Sequence, residues 1–367
     1  MRALFWISAA LIVWTQAVYA VALAVLRKLK GDPPTAPAGA ATPSVTLIVP
    51  AYKEASVIAA KVANARALDY AGELEIIVAV DGSDPGTVEN ARGADQVLAL
   101  PRGGKIRAQD AAVRRARGEI VAFGDANALW EPDALAELVK PFSDPQVAYA
   151  CGQVRFTNDE GTNQEGLYWR YEMWLRASES ALASVTGGNG AIYAVRRNAY
   201  IEVDPIMGHD LSFPFNMVKR GHRAVYVPTA RATEKMVPSI EGEWVRKRRM
   251  MSHGWPIVVK GGLADPRGYS PLYALMIVSH RLLRYGTPFL HVLTALATLA
   301  LLRRGRVYRL AAAAQAAVLA AAFIPAKRRP FLVARYYVLT TAALAAGLYD
   351  WLRHGTEAGW EAPEGTR

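Results

Sequence analysis

Three short apolar stretches, separated by helix-like segments, constrain the fold of this chain more than any other feature. They read SVTLIVPA (44–51), ELEIIVAVDG (73–82) and EIVAFGDAN (119–127). The segments between them include SVIAAKVANARAL (56–68) and GGKIRAQDAAVRRAR (103–117), in which apolar residues have helical spacing. Continuous apolar strands that alternate with helices predict a sheet of parallel strands covered on both faces. The predicted fold class is therefore α/β with a mostly parallel sheet.

Each of these predicted strands ends on polar residues. Tyr52–Glu54 follows the first, Asp81 ends the second, and Asp125 and Asn127 follow the third. Taken singly, each acidic residue could be a helix cap or part of a turn. In parallel sheets, however, ligands bind outside the carboxyl ends of the strands. Three equivalent strand ends therefore predict a shared polar ligand at one rim of the sheet.

The two ends of the chain are apolar enough to suggest membrane helices. Residues 3–26 are almost uninterrupted apolar and could span the roughly 30 Å hydrocarbon core, and Arg27, Lys28 and Lys30 follow at once. A cleaved signal peptide is the alternative. The basic residues lie after the apolar run, which favours an uncleaved anchor with the following residues in the cytosol.

Further apolar segments at 287–302, 310–326 and 331–348 predict C-terminal membrane helices. The segment before them, 270–286, combines an apolar face with His280, Arg281 and Arg284, and we expect a helix lying along the membrane interface.

The net charge of +11 raises the question of nucleic-acid binding. Much of the excess lies beside the apolar segments and in the basic run RKRR at 246–249. Anionic lipid headgroups or a diphosphate are therefore better partners than a nucleic acid, which we do not expect to bind. The single cysteine, Cys151, excludes an intramolecular disulfide and fits a reducing compartment.

Five motifs in order give the chain a family resemblance: VPAYKEA (49–55), VDGSDPGT (80–87), GGKIRAQDAAVRRARGEIVAFGDAN (103–127), WEPDALAELVKPFSDPQVAYACG (130–152) and GHDLSFPFNMVKRGHRAVYVPTA (208–230). Together they resemble inverting family 2 glycosyltransferases of the GT-A fold. The membrane-embedded branch with cellulose, chitin and hyaluronan synthases is the most similar. The resemblance covers about residues 44–265, and the C-terminal region more loosely.

This resemblance implies a donor site for a nucleotide-diphosphate sugar, with a UDP-sugar favoured. Glu54 and Asp81 would hold the nucleotide base, and Tyr52 could pack against it. Lys105 would place a point charge near the diphosphate, although an ordinary solvated helix lysine is the alternative. Arg249 matches the family's diphosphate-binding arginine, in a motif whose glutamine and tryptophan are here Arg246 and Met250.

The resemblance also implies a Mg²⁺ or Mn²⁺ site at Asp125-Ala126-Asn127, where the family has Asp-x-Asp. An Asn carbonyl supplies an oxygen ligand but no second negative charge. We therefore expect weak metal binding without the donor, and reliance on lysine and arginine instead is an open alternative.

Asp210, in GHDLSF, matches the family's catalytic base, which takes the proton of the acceptor hydroxyl. A helix cap is the alternative reading. His209 replaces the usual acidic neighbour. The residues expected at the acceptor are Gly187, Gly188 and Asn189 of a glycine-rich segment, together with His209 and Trp255, which could replace the missing aromatic.

The expected protein is a multi-pass enzyme of the inner or plasma membrane. Its predicted parts are an anchor (1–30), a Pro/Ala linker (31–43), a cytosolic GT-A catalytic domain (44–240), interface helices (241–285), membrane helices (286–350) and a tail (351–367). The acceptor is a growing polysaccharide or, alternatively, a lipid-linked sugar. Membrane lipids and further subunits of an export system are possible partners. A catalytically inactive binding or assembly module of the same fold is the alternative of another class.

Overall fold

The computed structural model describes residues 1–31, 42–82, 84–157, 166–235, 240–325 and 328–359. Most of the predicted linker at 31–43 and the last eight residues of the predicted tail lie outside these ranges.

The first half of the region predicted as the catalytic domain is a parallel sheet with helical crossovers. Its strands are β1 (Val45–Ala51), β2 (Leu74–Asp81), β3 (Gln96–Leu100) and β4 (Ile120–Phe123). The helices between them are α2 (Ile58–Arg66), α3 (Pro85–Asn90) and α4 (Lys105–Val113). β1 pairs in parallel with both β2 and β4, and β2 pairs in parallel with β3. The helices predicted at 56–68 and 103–117 are thus present in shorter form.

The second half of the region extends the sheet with mixed pairing. It adds β5 (Leu129–Trp130), α5 (Ala134–Val139), β6 (Val147–Thr157), α6 (Gly166–Leu182), β7 (Tyr193–Arg196), α7 (His209–Lys219) and β8 (Arg223–Lys235). The strand order is β3-β2-β1-β4-β7-β6-β8-β5. β7 is antiparallel to both neighbours, whereas β6 and β8 are parallel. The predicted α/β class with a mostly parallel sheet is confirmed.

Both faces of this sheet are covered, as the continuous apolar strands predict. Successive side chains of a strand point to opposite faces, so Leu47 and Val49 pack with one layer and Ile48 packs with the other. The second layer buries Phe123 and Phe213 completely. Burial on both sides explains why these strands show no alternation of polar and apolar residues.

A group of further helices lies against this sheet region. They are α1 (Arg2–Lys30, with a π-helical stretch at Trp14–Val18), α8 (Ile240–Val259), α9 (Pro271–Met276), α10 (Leu283–Leu301), α11 (Arg306–Phe323) and α12 (Arg329–His354). A π-helical stretch at Ile277–Leu282 joins α9 to α10. α1 packs mainly on α10, and α8 packs mainly on α12.

Among the described residues, two helices are long and apolar enough to cross a membrane, α1 and α12. The predicted segments at 287–302 and 310–326 form α10 and α11, but neither meets the same criterion of length and composition. The expectation of three C-terminal spans therefore holds only for the last of them.

The polar side chains of segment 270–286 point into the protein, contrary to the expectation of an exposed interface helix. His280 is 2% exposed and lies 2.7 Å from Glu179 and 3.3 Å from Glu172. Arg284 pairs with Glu172 at 2.7 Å, and the Tyr19 hydroxyl donates to Glu179 at 2.6 Å. These contacts connect α1 and α10 to α6. Buried charges are stable only when they are paired, so the pairing holds these helices together. These polar side chains therefore contact α6, and the placement of the segment along a membrane interface stays a prediction.

Candidate active site

One cleft of about 410 Å³ lies at the carboxyl ends of β1, β2 and β4, a size typical of ligand pockets. The structure brings together there most of the residues predicted from the sequence: Tyr52, Glu54, Asp81, Lys105, Asp125, Asn127, Gly187, Gly188, His209, Asp210 and Arg249. The expectation that three polar strand ends share one rim therefore agrees with the geometry. The role of each residue remains a prediction.

The wall that follows β2 is organised by Asp81. Its carboxylate accepts hydrogen bonds from the backbone N–H groups of Gly103 (2.6 Å) and Gly104 (3.0 and 3.1 Å) and pairs with the Arg102 guanidinium. That guanidinium lies 3.4 Å from the ring centroid of Tyr52, a cation–π contact. Asp81 thus fixes both the glycine turn before α4 and the cation that covers Tyr52. The Tyr52 ring, covered by a guanidinium whose charge Asp81 balances, forms a planar platform at this end of the cleft.

The loop after β1 carries an unusual backbone conformation. Lys53 has φ 54°, and no other non-glycine residue in the described part of the chain has a positive φ. Such strain is held by surrounding contacts and concentrates at functional sites. Here the Glu54 backbone N–H donates to the Thr87 hydroxyl at 2.9 Å, and the Glu54 carbonyl accepts from the N–H groups of Val57 and Ile58 at the start of α2. Glu54 therefore lies in a fixed position, 8% exposed, at the cleft wall.

Lys105 and Asp125 form an ion pair in the middle of the cleft. Lys105 begins α4 and Asp125 begins the turn after β4, which closes with an Ala128 N–H to Asp125 carbonyl hydrogen bond of 3.1 Å. Burial would lower the pKa of the Lys105 ammonium, but the charge and hydrogen bond of Asp125, together with the charges of Asp210 and Glu234, outweigh burial and raise that pKa. Lys105 therefore carries a full positive charge in the cleft.

The oxygen atoms at Asp125 and Asn127 form part of a binding site for a hard divalent cation. Asp125 and Asn127 both line the cleft and offer the oxygen ligands that Mg²⁺ and Mn²⁺ take, usually together with substrate phosphates. Glu234 at the end of β8 lines the same cleft. Burial, and then the charge of Asp125, raise the pKa of the Glu234 carboxyl above its ordinary value. No set of three or more His, Cys, Asp or Glu residues in the described ranges forms a complete metal site. A bound cation would therefore need ligands from the donor.

Asp210 lies in the first turn of α7, where carboxylates are favoured by the helix dipole. Its backbone carbonyl accepts a hydrogen bond of 2.6 Å from the N–H of Gly188. This contact ties the glycine-rich segment to the start of α7. Asp210 and the glycines of the segment 187–190 therefore line one connected part of the cleft.

Gly188 has no room for a side chain, because an added Cβ would overlap the hydroxyl oxygen of the fully buried Tyr149. We expect Gly188→Ala to lower stability by about 1–3 kcal/mol and to reduce activity, since the wall beside Asp210 must shift. Gly286→Ala is the matched control, because a Cβ at Gly286 meets no atom within 4 Å. Thermal unfolding of the two variants measures the difference. Equal melting temperatures for both variants would contradict this reading.

Two predicted acceptor residues do not contact the cleft. The Asn189 side chain donates to the Gly152 carbonyl at 2.5 Å and accepts from the N–H groups of Ala191 and Ile192. Its polar atoms are therefore used in holding the loop. Trp255 is 8% exposed, donates to the Leu344 carbonyl at 2.9 Å and packs on Tyr285. The prediction that Trp255 contacts the acceptor is wrong, because its indole faces α12.

The basic run at 246–249 does not form one lipid-facing patch. Arg246 and Lys247 both pair with Glu243, at 2.7 and 3.1 Å. Arg248 makes a bidentate pair with Asp350 on α12, with both contacts at 2.6 Å. Only Arg246 and Arg249 of this run line the cleft. The four side chains lie on different faces of the helix α8. Arg249, the arginine expected at the diphosphate, is on the face that lines the cleft.

Several cleft features carry no local sequence signal. Besides Glu234, Arg281 of the α9–α10 connection lines the cleft, and its Nε donates to the Thr186 hydroxyl at 2.9 Å. Lys61 lies fully buried under the Asp125 turn and donates to the Ala128 carbonyl at 2.6 Å. Ala358, in the segment after α12, also lines the cleft, with its carbonyl packed against Gly104. Glu234, Arg281 and Ala358 are remote in sequence from the ends of β1, β2 and β4.

Comparison with known proteins gives consistent matches. Residues 46–203 match the family described as Glycosyl transferase family 2. An N-acetylglucosaminyltransferase of Mesorhizobium japonicum is 31% identical over 244 residues, which cover 59% of this chain and 56% of that protein. An N-acetylglucosaminyltransferase of Rhizobium leguminosarum bv. viciae is 28% identical over 231 residues, 56% of this chain and 54% of that protein. The chain thus spans about half the length of these curated relatives.

A solved structure is similar over nearly the whole chain. It is a mannosyltransferase from Pyrobaculum calidifontis in complex with GDP-Man and Mn²⁺. The TM-score is 0.73 at 25% sequence identity, and the match covers 95% of this chain and 99% of the other. The likeness therefore includes the helices outside the sheet.

Proposed function

Because the chain carries a family 2 glycosyltransferase domain built on a GT-A sheet, we propose that it moves a sugar from a nucleotide-diphosphate donor to an acceptor hydroxyl with inversion. The observation that carries this proposal is the meeting of Lys105, Asp125 and Asp210 in one cleft at the strand ends. A phosphate-binding cation and a carboxylate that can take a proton are what such a transfer needs.

In this proposal different residues of the cleft bind the donor, balance the charge of the diphosphate and accept the proton. Glu54, Asp81 and the Tyr52 platform bind the nucleotide base, and Lys105 and Arg249 balance the charge of the diphosphate that leaves. Asp210 takes the proton from the acceptor hydroxyl as its oxygen attacks the anomeric carbon from the side opposite the diphosphate. A divalent cation held by Asp125 and Asn127 would add further charge neutralisation on the leaving diphosphate. The Mn²⁺ named for the Pyrobaculum calidifontis mannosyltransferase supports a metal-assisted reaction.

UDP-N-acetylglucosamine is the donor we propose. The curated relatives are named N-acetylglucosaminyltransferases, and they support an N-acetylhexosamine donor. GDP-mannose is the second candidate, because the structural neighbour that matches nearly the whole chain was solved with it.

The acceptor we propose is a growing polysaccharide at a membrane. Exposed large apolar side chains support membrane attachment, since an apolar surface of this extent is rare on soluble monomers. They lie on α1, α10, α11 and α12 and include Ile7, Val21, Leu296, Leu299, Leu310, Phe323 and Leu352. A lipid-linked sugar is the alternative acceptor, and few helices are available to surround a secreted chain. Either acceptor would be reached from the cytosol, with the protein in the inner or plasma membrane.

The test is a donor panel on the full chain in nanodiscs. Radiolabelled UDP-N-acetylglucosamine, UDP-glucose and GDP-mannose are each incubated with Mg²⁺, Mn²⁺ or EDTA. We expect transfer from UDP-N-acetylglucosamine that EDTA abolishes. Product length separates a polymerase from a single-sugar transferase, and NMR of the new linkage reports its anomeric configuration. Neither transfer nor hydrolysis with any donor would favour the inactive binding-module alternative.

A further inference from the structure

His209 occupies a closed aromatic cage at the wall of the cleft. Its ring stacks on Phe213 at a centroid distance of 4.0 Å and meets the edges of Phe123, Tyr193 and Tyr200 at 5.9, 6.1 and 5.8 Å. The residue is 2% exposed and yet belongs to the cleft lining. Burial, assisted by the charge of Lys105, lowers the pKa of this imidazole to about 3. His209 is therefore neutral at any working pH and cannot act as a general acid there.

The hydrogen bonds of the cage indicate where the imidazole proton lies. The Gln109 side-chain amide donates to the Tyr193 hydroxyl at 3.1 Å, and that hydroxyl lies 2.8 Å from Nδ1 of His209. Burial raises the pKa of Tyr193 well above its ordinary value, so the phenol keeps its proton. With the hydroxyl oxygen accepting from Gln109, we assign the hydroxyl proton to the contact with Nδ1. A neutral imidazole that accepts at Nδ1 carries its hydrogen on Nε2.

That Nε2–H has no hydrogen-bond partner among the residues the structure describes, although the atom is buried. Buried donors are rarely left unsatisfied, since each costs free energy. Around it, Lys105 interacts electrostatically with both Asp125 and Asp210 as well as with His209. His209 therefore lines the same cleft as Lys105, the predicted diphosphate ligand, and Asp210, the predicted base.

We propose that His209 presents this Nε2–H as a fixed, uncharged hydrogen-bond donor to an oxygen atom of the sugar bound next to Asp210. The inference rests on the proposed function, because it takes a sugar to be the occupant of this part of the cleft. A neutral donor suits the hydroxyl or acetamido oxygen of a sugar, whereas a charged group would favour an anion. It also leaves Asp210 as the one ionisable partner of the acceptor hydroxyl. His209 is then a specificity-determining residue, held in orientation by Tyr193 and Gln109.

The test compares His209→Phe, which keeps the ring shape but has no donor, with His209→Gln, which keeps an N–H donor. We expect His209→Phe to lower kcat/KM by roughly tenfold to a hundredfold, the effect of losing one hydrogen bond to a bound sugar. His209→Gln should recover most of this loss, because its amide can still donate a hydrogen bond. His222→Phe, at the turn between α7 and β8 and outside the cleft, is the control and should match the wild type.

Binding measurements separate the two sugars that could occupy the site. If the contact is to the donor sugar, His209→Phe weakens binding of UDP-N-acetylglucosamine but not of UDP in calorimetry. If it is to the acceptor, donor binding and donor hydrolysis stay unchanged while KM for an N-acetylglucosamine oligosaccharide rises. Calorimetry with the same ligands remains decisive if the wild type transfers no sugar, so failure of the proposed function is recognised separately. The inference is overturned if His209→Phe matches the wild type in all these measurements. It is equally overturned if both His209 variants lose activity only in proportion to a lowered melting temperature.

Discussion

Asp210→Asn is expected to lower the transfer rate by about 10²–10⁴-fold while donor affinity changes less than about threefold. The substitution keeps the shape of the side chain and its place in the first turn of α7. It removes the carboxylate that would take the proton of the acceptor hydroxyl, so the loss falls on the chemical step. Single-turnover transfer and calorimetric binding of UDP-N-acetylglucosamine measure the two quantities separately.

Asp265→Asn is the matched control for this prediction. Asp265 pairs with Arg267 at 2.7 Å on the surface and does not line the cleft, so its loss should leave turnover unchanged. Unchanged turnover in Asp210→Asn itself would remove Asp210 from the role of base. A parallel loss of donor binding would instead place Asp210 in the donor site.

Asp125→Asn is the second substitution with a large expected effect. It removes the only carboxylate of the Asp-Ala-Asn turn and the ion-pair partner of Lys105. We expect activity to fall by about 10²-fold or more, and the Mn²⁺ concentration that gives half-maximal activity to rise at least tenfold. The reason is that Asp125 supplies the carboxylate of the proposed metal site, whereas Asn127 alone offers the cation a neutral oxygen. Metal titration at fixed donor concentration measures the shift.

Asp144→Asn serves as its control, because Asp144 pairs with Arg223 at 3.3 Å outside the cleft. If Asp125→Asn keeps both its activity and its metal requirement, the metal is held elsewhere. If the wild type is active in EDTA, the cations of the cleft neutralise the diphosphate without a metal, which is the alternative left open by Asn127.

The first three buried strands and the rim at their carboxyl ends could be predicted from the sequence, because both depend on local patterns. Continuous apolar runs predict buried strands, and parallel strands bring their carboxyl ends to one edge. Asp81 and Asp125 could be assigned to one rim for this reason alone, although they are 44 residues apart in the sequence. The family resemblance added Lys105 and Asp210, and the structure places both in the same cleft.

Other parts of the site could not be predicted, because they depend on where a side chain points. Trp255 and Arg249 are six residues apart on α8, yet one faces α12 and the other faces the cleft. Asn189 stands in a glycine-rich segment typical of ligand loops, but its amide is used by Gly152 and Ile192. A sequence pattern gives the residue type that is available, and packing decides which atoms remain for a ligand.

The sequence by itself determined the α/β sheet, the rim at its strand ends, the resemblance to family 2 and the apolar termini, since periodicity and motif spacing are properties of neighbouring residues. Only the tertiary structure decided that Glu234 and Arg281 join the cleft, that His280 is buried against α6, and that Nε2 of His209 has no hydrogen-bond partner in the part of the chain that the structure describes. These contacts join residues far apart in the chain, and their energies come from burial and charge pairing that arise only when the helices close on the sheet.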